Sequence, residues 1–419
     1  MLRIIPIIEL FYILSIVIFN LSIYMLHSDK LKMISNICHY IGKYNIIYLK
    51  VIQSISINSD LFDEETQQFL IKYTDSVPYS LADIDYTSLN NISLFSNIVI
   101  NYNPINSGIF ALVYKGYYNN RAIVVKLLKK DITTKLINCI DTLNILFYFF
   151  SYMPYLKNLN LKDLLENNKE KLLGQTECQN EINNMKLFYD FYKDFKQIVI
   201  PRVYEEFTND NNNLIVMEYI KGKKITEINK NHYIEYGEIL LNLYFSDFGL
   251  HNIHHGDLHI GNILFLEEDN IKKVAILDFG IIYTIDEYYQ NLFFTILKEI
   301  SFEKNYKWIY DNINELVKSS KNSNNSLEHL SDGDKSNLKN TLIDISRYTF
   351  ENRLDLLYLT KSLNKLVNKY NMIAKPEIME LLFTYGFAFN TLEYLIPGNH
   401  AFIFLEKFNS MIRLIEMDI

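Results

Sequence analysis

The chain has 419 residues, 49% hydrophobic and 21% charged, enough to bury a core larger than one small domain holds. A formal net charge of −8, a pI near 5.7 and scattered rather than striped basic residues exclude the electrostatic footprint of a nucleic-acid partner. Cys38, Cys139 and Cys178 are odd in number and widely spaced, which argues against a disulfide framework or a thiolate metal site and fits a reducing compartment.

In chain order, residues 4–26 are an apolar run long enough to cross a hydrocarbon core, and Lys30, Lys32 and Lys43 follow it. Pro6, Glu9 and Asn20 interrupt it, and no small-residue cleavage site of a signal peptide follows. A membrane-embedded or membrane-surface segment is expected; the alternative is a buried helix lying on the folded body. Residues 29–75 read as helical from apolar spacings near three and four. GIFALVYKGYY and RAIVVKLL, joined by Asn119 and Asn120, predict a hairpin, because asparagine tolerates positive φ. Residues 132–195 are mainly helical by pattern, and NLIVMEYI (213–220) is a short apolar strand. NILFL and VAILD bracket a turn from Glu267 to Asn270. Everything after Asp286 reads as helical except residues 319–337, a polar stretch expected to be an exposed, mobile loop. No repeat of solenoid period is present. The order predicts an α+β arrangement with two packed lobes plus appendages.

The nine residues HHGDLHIGN (254–262) concentrate polar chemistry. Asp257 and Asn262 stand five apart, and Asp278 follows 21 residues after Asp257 in LDFG. Phosphoryl transfer asks for this set: one carboxylate to orient an attacking hydroxyl, an amide oxygen and a second carboxylate to hold Mg²⁺ against phosphates. The two short strands place Asn262 at the entry and Asp278 at the exit of one hairpin. Either tripeptide alone is a weak signal; their order and flanking strands make the phosphate-and-metal reading the stronger one. His251, His254, His255 and His259 also admit a zinc reading, but it explains neither Asn262 nor Asp278 and lacks an H-E-x-x-H setting. For His251 and His254 the plain expectation is a helix end with solvated or hydrogen-bonded imidazoles.

Lys126 lies inside the apolar strand AIVVKLL, where a half-buried ammonium requires a partner or a ligand. Glu181 is the expected partner: it follows Glu177 by one helical turn, beside a core-facing stripe of Ile182, Met185 and Phe188. The alternative is a solvated edge lysine. In NSGIFALV (106–113), on the strand before that of Lys126, Gly108 would let backbone approach phosphates without a side chain in the way.

With these residues assembled, the chain resembles the protein-kinase-like superfamily, and within it the UbiB or ADCK family of atypical kinases, from about residue 40 to 410. Residues 48–80 resemble that family's K-x-G-Q region, with Lys50 and Gln53 retained and Ile52 in place of the glycine. QTECQNEINN (175–184) resembles the E-x-D segment, with Gln175 and Glu177 on the two acidic positions. Gln175 carries no charge, so a salt bridge from Lys50 would rely on Glu177. Gly108 stands where the family usually has alanine, and the family's HADPHPGN appears as HGDLHIGN, closer to aminoglycoside and choline phosphotransferases.

The resemblance implies an apolar N-terminal segment (1–27), a helical extension carrying the K-x-G-Q-like motif (28–90), a kinase-like N-lobe with a helical insert (91–220) and a mostly helical C-lobe (221–419). It implies ATP and Mg²⁺ as cofactors. Lys126 would contact the α and β phosphates and pair with Glu181, and Gly108, Val113 and the MEYI segment (Met217, Glu218, Ile220) would line the nucleotide. Asp257 would be the catalytic base or its equivalent, and Asn262 and Asp278 the Mg²⁺ ligands. Lys50 and Gln53 would belong to a cover over the pocket where a protein substrate would otherwise dock, with Glu177 as the carboxylate on which a salt bridge from Lys50 relies. The implied activity is ATP binding and hydrolysis coupled to a lipid or small-molecule partner, as in coenzyme Q and other isoprenoid-lipid metabolism at membranes. Two alternatives stay open: a small-molecule phosphotransferase, and a nucleotide-sensing scaffold without turnover. Residues 375–398 resemble the family's closing helices, and residues 287–419 otherwise carry no motif tied to chemistry.

Overall fold

A computed structural model describes residues 4–51, 77, 79–94, 97–150, 152, 161–207, 213–247, 252–319, 327–352, 354–370 and 372–398, with 403, 404, 406, 407 and 410. It divides the chain into two compact units, Met1–Lys186 with Arg202–Tyr219, and Leu187–Pro201 with Ile220–Ile419.

The first unit begins with helices α1 (Ile4–His27) and α2 (Lys30–Asn45). Asp29 caps α2 by accepting the amide of Lys32. A five-stranded antiparallel sheet follows: β1 (Ile98–Ile100), β2 (Asn106–Ser107), β3 (Ala111–Tyr118), β4 (Arg121–Leu128) and β6 (Leu214–Glu218), ordered β1-β3-β4-β6 with β2 on β3. The β3–β4 turn holds Asn119 and Asn120 at φ 47° and 62°, the left-handed geometry that a two-residue hairpin requires. One face of the sheet presents Leu112, Tyr114, Ile123, Val125, Leu127 and Val216 to a core closed by Leu89 and Ile92 of helix α3 (Tyr86–Ser93). Helices α4 (Ile132–Phe150), α5 (Leu161–Gly174) and α6 (Cys178–Tyr192) supply the long helical stretch read from the sequence. The division between the units falls within α6. Cys38, Cys139 and Cys178 are buried free thiols, and burial pushes those of Cys38 and Cys178 up to about 11 and about 12.

The second unit contains a three-stranded sheet in the order β5-β9-β8, with β5 (Ile198–Val199) parallel to β9 (Ile271–Ile276) and β8 (Ile263–Glu268) antiparallel to it. The β8–β9 turn places Asp269 and Asn270 at φ 52° and 61°. A two-stranded ribbon pairs β7 (Ile253–His255) with β10 (Ile282–Thr284). Its longer helices are α7 (Tyr233–Ser246), α8 (Glu287–Ser301), α9 (Asp332–Glu351), α10 (Leu356–Lys369) and α11 (Pro376–Leu395).

Helices on an antiparallel sheet confirm the α+β class, and three readings are corrected. Residues 332–337 are the first turns of α9 rather than loop: Ser331 Oγ accepts the amide of Asp334, and Asp332 and Asp334 sit at the positive end of the helix dipole. The region after Asp286 is not wholly helical, because β11 (Val317–Ser319) pairs with β12 (Met372–Ala374). His254 lies on strand β7, not at a helix end. Ile52, Gln53 and His251 fall outside the described residues.

Candidate functional site

In the first unit, β4 carries Lys126 on the sheet face opposite the core. Its neighbours across the sheet are Val113 of β3 and Ile215 of β6. Lys126 Nζ donates to both carboxylate oxygens of Glu181, at 2.6 and 2.8 Å, and the two side chains are 17% and 9% exposed. The solvated-lysine alternative is thereby set aside for a bidentate, largely desolvated ion pair. Glu181 stands in the first turn of α6, one turn after Glu177. Glu177 is exposed and accepts 2.6 Å from Asn180 Nδ2, which ties its carboxylate to the start of α6. Lys50 is half-buried in the helical run 47–51, and Gln175 is half-buried before α6.

Gly108 donates its amide to Ala111 O at 2.9 Å and closes the turn between β2 and β3. A Cβ built there meets only Ala111 O at 3.5 Å, ordinary contact, so the fold itself has room for the family's alanine. Met217 is buried on β6 opposite Val124, while the amides of Glu218 and Tyr219 donate to Arg202 O and Ala122 O at 2.8 and 3.2 Å. Ile220 follows them, half-buried and past the end of the strand.

In the second unit, hydrogen bonds draw the phosphoryl-transfer candidates together. Ile263 of β8 faces Ile276 of β9, and the amide of Leu277 donates 3.0 Å to Asn262 O, so the hairpin mouth sets Asn262 beside the start of LDFG. Asn262 Nδ2 donates 3.0 Å to Asp257 O, which leaves Oδ1 as the amide atom for a cation. Asp278 Oδ1 accepts the amide of Gly280 at 3.0 Å.

His255, considered in the sequence only as a zinc ligand, joins the two motifs. Its Nδ1 accepts the amide of Asp257 at 3.2 Å, so Nε2 carries the proton and donates 2.5 Å to Asp278 O. Burial lowers its pKa, against the opposing pull of Asp278 and Asp257, and so favours the neutral ring this tautomer needs. His254 is buried beside Gln290 of α8, with its Nε2 at 3.1 Å, and burial lowers its pKa to about 4.

Two further contacts support this loop. Gly256, where the UbiB or ADCK motif has alanine, donates to Ile281 O at 2.9 Å, and a Cβ there would lie 2.5 Å from Tyr283 Cε2 and 2.7 Å from Ile281 Cγ2. Thr391 of α11 donates 3.2 Å to Leu258 O. No local signal marked Thr391 or Tyr283, because their contacts span long sequence separations. Among the described residues, no group of three or more His, Cys, Asp or Glu is placed to hold a metal. Asn262 Oδ1 and the Asp278 carboxylate offer two hard oxygen donors, which suits Mg²⁺, an ion that takes one or two protein ligands and leaves its other positions to phosphate and water.

Residues 92–313 match the family of the ABC1 atypical kinase-like domain. Over 244 residues the chain is 25% identical to a chloroplastic aarF domain-containing protein kinase of Arabidopsis thaliana, covering 56% of this chain and 33% of that protein. Over 259 residues it is 27% identical to a probable protein kinase UbiB of Shewanella oneidensis, covering 58% of this chain and 46% of that protein. The chain thus spans a third to about half the length of these relatives. Among solved structures, it is similar to a Mycobacterium tuberculosis protein in complex with erythromycin, at 17% identity and a TM-score of 0.46, covering 83% of this chain and 91% of that one.

Proposed function

Since the chain belongs to the ABC1 atypical kinase-like family, we propose that it binds ATP with Mg²⁺ and transfers or hydrolyses the terminal phosphate, acting with a lipid or small-molecule partner at a membrane. The observation that carries the reading is the hairpin mouth in which Asn262, Asp278 and, through His255, Asp257 are fixed by hydrogen bonds.

Asp257 would accept the proton of the attacking hydroxyl or water. Asn262 Oδ1 and the Asp278 carboxylate would hold Mg²⁺, which when bound neutralises charge on the phosphates. His255 holds Asp257 and Asp278 in register without changing charge near neutral pH. Lys126, oriented by Glu181, would contact the α and β phosphates through its ammonium. The name of the Shewanella relative supports the kinase-like part of this reading.

Replacement of Asp278 by Asn tests it. Mg²⁺-dependent ATP affinity, measured by titration calorimetry, should fall by about 10-fold or more, with loss of turnover. Equal binding and turnover in the variant and the natural chain would overturn the proposal.

A further inference from the structure

Helix α1 is long and apolar enough to cross a membrane, yet its two faces meet different surroundings. Pro6, Glu9, Leu10, Ile13 and Asn20, at helical spacing, are buried against the first unit. Glu9 is only 6% exposed. Its carboxylate accepts the hydroxyl of Tyr48, and Thr142 Oγ1 lies 3.3 Å from both Glu9 Oε2 and Pro6 O. Asn45, at the end of α2, donates 3.3 Å to Lys135 O of α4, so the α1–α2 pair is bound to the unit by polar as well as apolar contacts. On the opposite face, Ile4, Ile8, Phe11, Ile18, Phe19 and Met25 are each 61–84% exposed. Ser15 and Ser22 are also exposed on this face, but their hydroxyls are turned back onto the carbonyls of Tyr12 and Ile18 at 2.7 and 2.9 Å, so the face is predominantly apolar and marks an interaction surface.

Charge identifies its occupant. Residues 4–50 contain Lys30, Lys32, Lys43 and Lys50 against two acids, Glu9 and Asp29, in a chain of net charge −8. Glu9 is buried, and Asp29 caps α2. Lys30, Lys32 and Lys43 are exposed, and so are Tyr12 and Tyr44, whose rings lie 4.7 Å apart. An apolar face flanked by lysines and amphipathic tyrosines fits the headgroup and acyl boundary of an anionic bilayer. A span would instead withdraw Glu9 from Tyr48 and Thr142 and carry its carboxylate into hydrocarbon.

We infer that α1 is an in-plane anchor: it stays docked on the first unit through Glu9 and presents its outer face to an anionic membrane surface. The inference deepens the proposed function by specifying how the membrane is engaged, and rests on it for placing ATP chemistry there.

The full chain is mixed with vesicles of equal phosphatidylglycerol and phosphatidylcholine, or of phosphatidylcholine alone. Sedimentation, carbonate extraction at pH 11 and Mg²⁺–ATP binding are then measured for the natural chain and for Phe11→Glu/Phe19→Glu. Sedimentation with anionic vesicles is expected, weaker by about 10-fold with phosphatidylcholine alone. Carbonate should release the protein. The double variant should stay in solution with its melting temperature and Mg²⁺–ATP affinity unchanged. Resistance to carbonate, with a fragment around α1 protected from protease, would overturn the inference in favour of a span. Failure to sediment, with dimerisation that the same variant abolishes, would overturn it in favour of self-association, and failure to sediment without dimerisation would also overturn it. Vesicle binding by a chain that binds no Mg²⁺–ATP would remove the functional reading and leave the anchor in place.

Discussion

Breaking the Lys126–Glu181 pair should separate folding energetics from nucleotide recognition. With the side chains 17% and 9% exposed and Nζ bonded to both carboxylate oxygens, Glu181→Leu strands a largely desolvated ammonium, at a cost of about 3 kcal/mol. For a unit of about 200 residues, each kcal/mol moves the melting temperature by roughly 2–4 °C, so a fall of about 6–12 °C is expected. Replacing both partners, Lys126→Met with Glu181→Leu, should return the melting temperature close to the original, because an apolar pair of similar volume avoids the desolvation penalty. ATP affinity should not return with it. A charge-assisted bond to phosphate contributes about 1.5–3 kcal/mol, so every variant lacking Lys126 should bind ATP roughly 10- to 150-fold more weakly. Differential scanning calorimetry and titration calorimetry on the four proteins of this cycle give both readouts. A Lys126→Met chain that binds ATP as tightly as the original refutes the phosphate role; a double variant no more stable than Glu181→Leu refutes the energetics.

His255→Ala removes the acceptor of the Asp257 amide and the donor to Asp278 O; a loss of about 2–4 kcal/mol is expected in denaturant unfolding, together with a fall in turnover. Gly256→Ala places a methyl 2.5 Å from the Tyr283 ring and should destabilise the chain by about 1–3 kcal/mol, with Tyr283→Ala in the same chain restoring much of it in a thermal melt. Lys129 is 4% exposed, and burial lowers its pKa from 10.5 to about 8 despite the pull of Asp83. Because the folded value lies below the unfolded one, the unfolded chain holds more protons between pH 8 and 10.5, and this residue's contribution to stability rises with pH across that window. Lys129→Met should therefore stabilise the chain at pH 7, by up to about 3 kcal/mol, and the gain measured against the natural chain should shrink toward pH 10.

Where a signal was local, the sequence carried it. Asn119–Asn120 and Asp269–Asn270 turn their hairpins because these residues adopt positive φ with little penalty, and the apolar setting of Lys126 already asked for a partner or a ligand, with Glu181 the expected partner. Three-residue strands left no pattern, so β7 and β10 escaped notice and with them the place of His254 and His255. The polar composition of 332–337 hid a helix start, since a helix N-terminus favours the same Ser and Asp residues that fill loops. In α1 the docked and outer faces share a largely apolar alphabet; Pro6, Glu9 and Asn20 mark the docked one, and the hydrogen-bonding partners of Glu9 lie 39 and 133 positions away.

Strand β8 runs six residues from Ile263 to Glu268, so its turn at Asp269–Asn270 lies roughly 20 Å from the mouth that holds Asn262 and Asp278. Left-handed, polar and remote from the chemistry, that tip is a natural position for a fluorophore or a short peptide tag. A reporter attached there would ride on the same β8–β9 hairpin as the two metal-ligand candidates without crowding them.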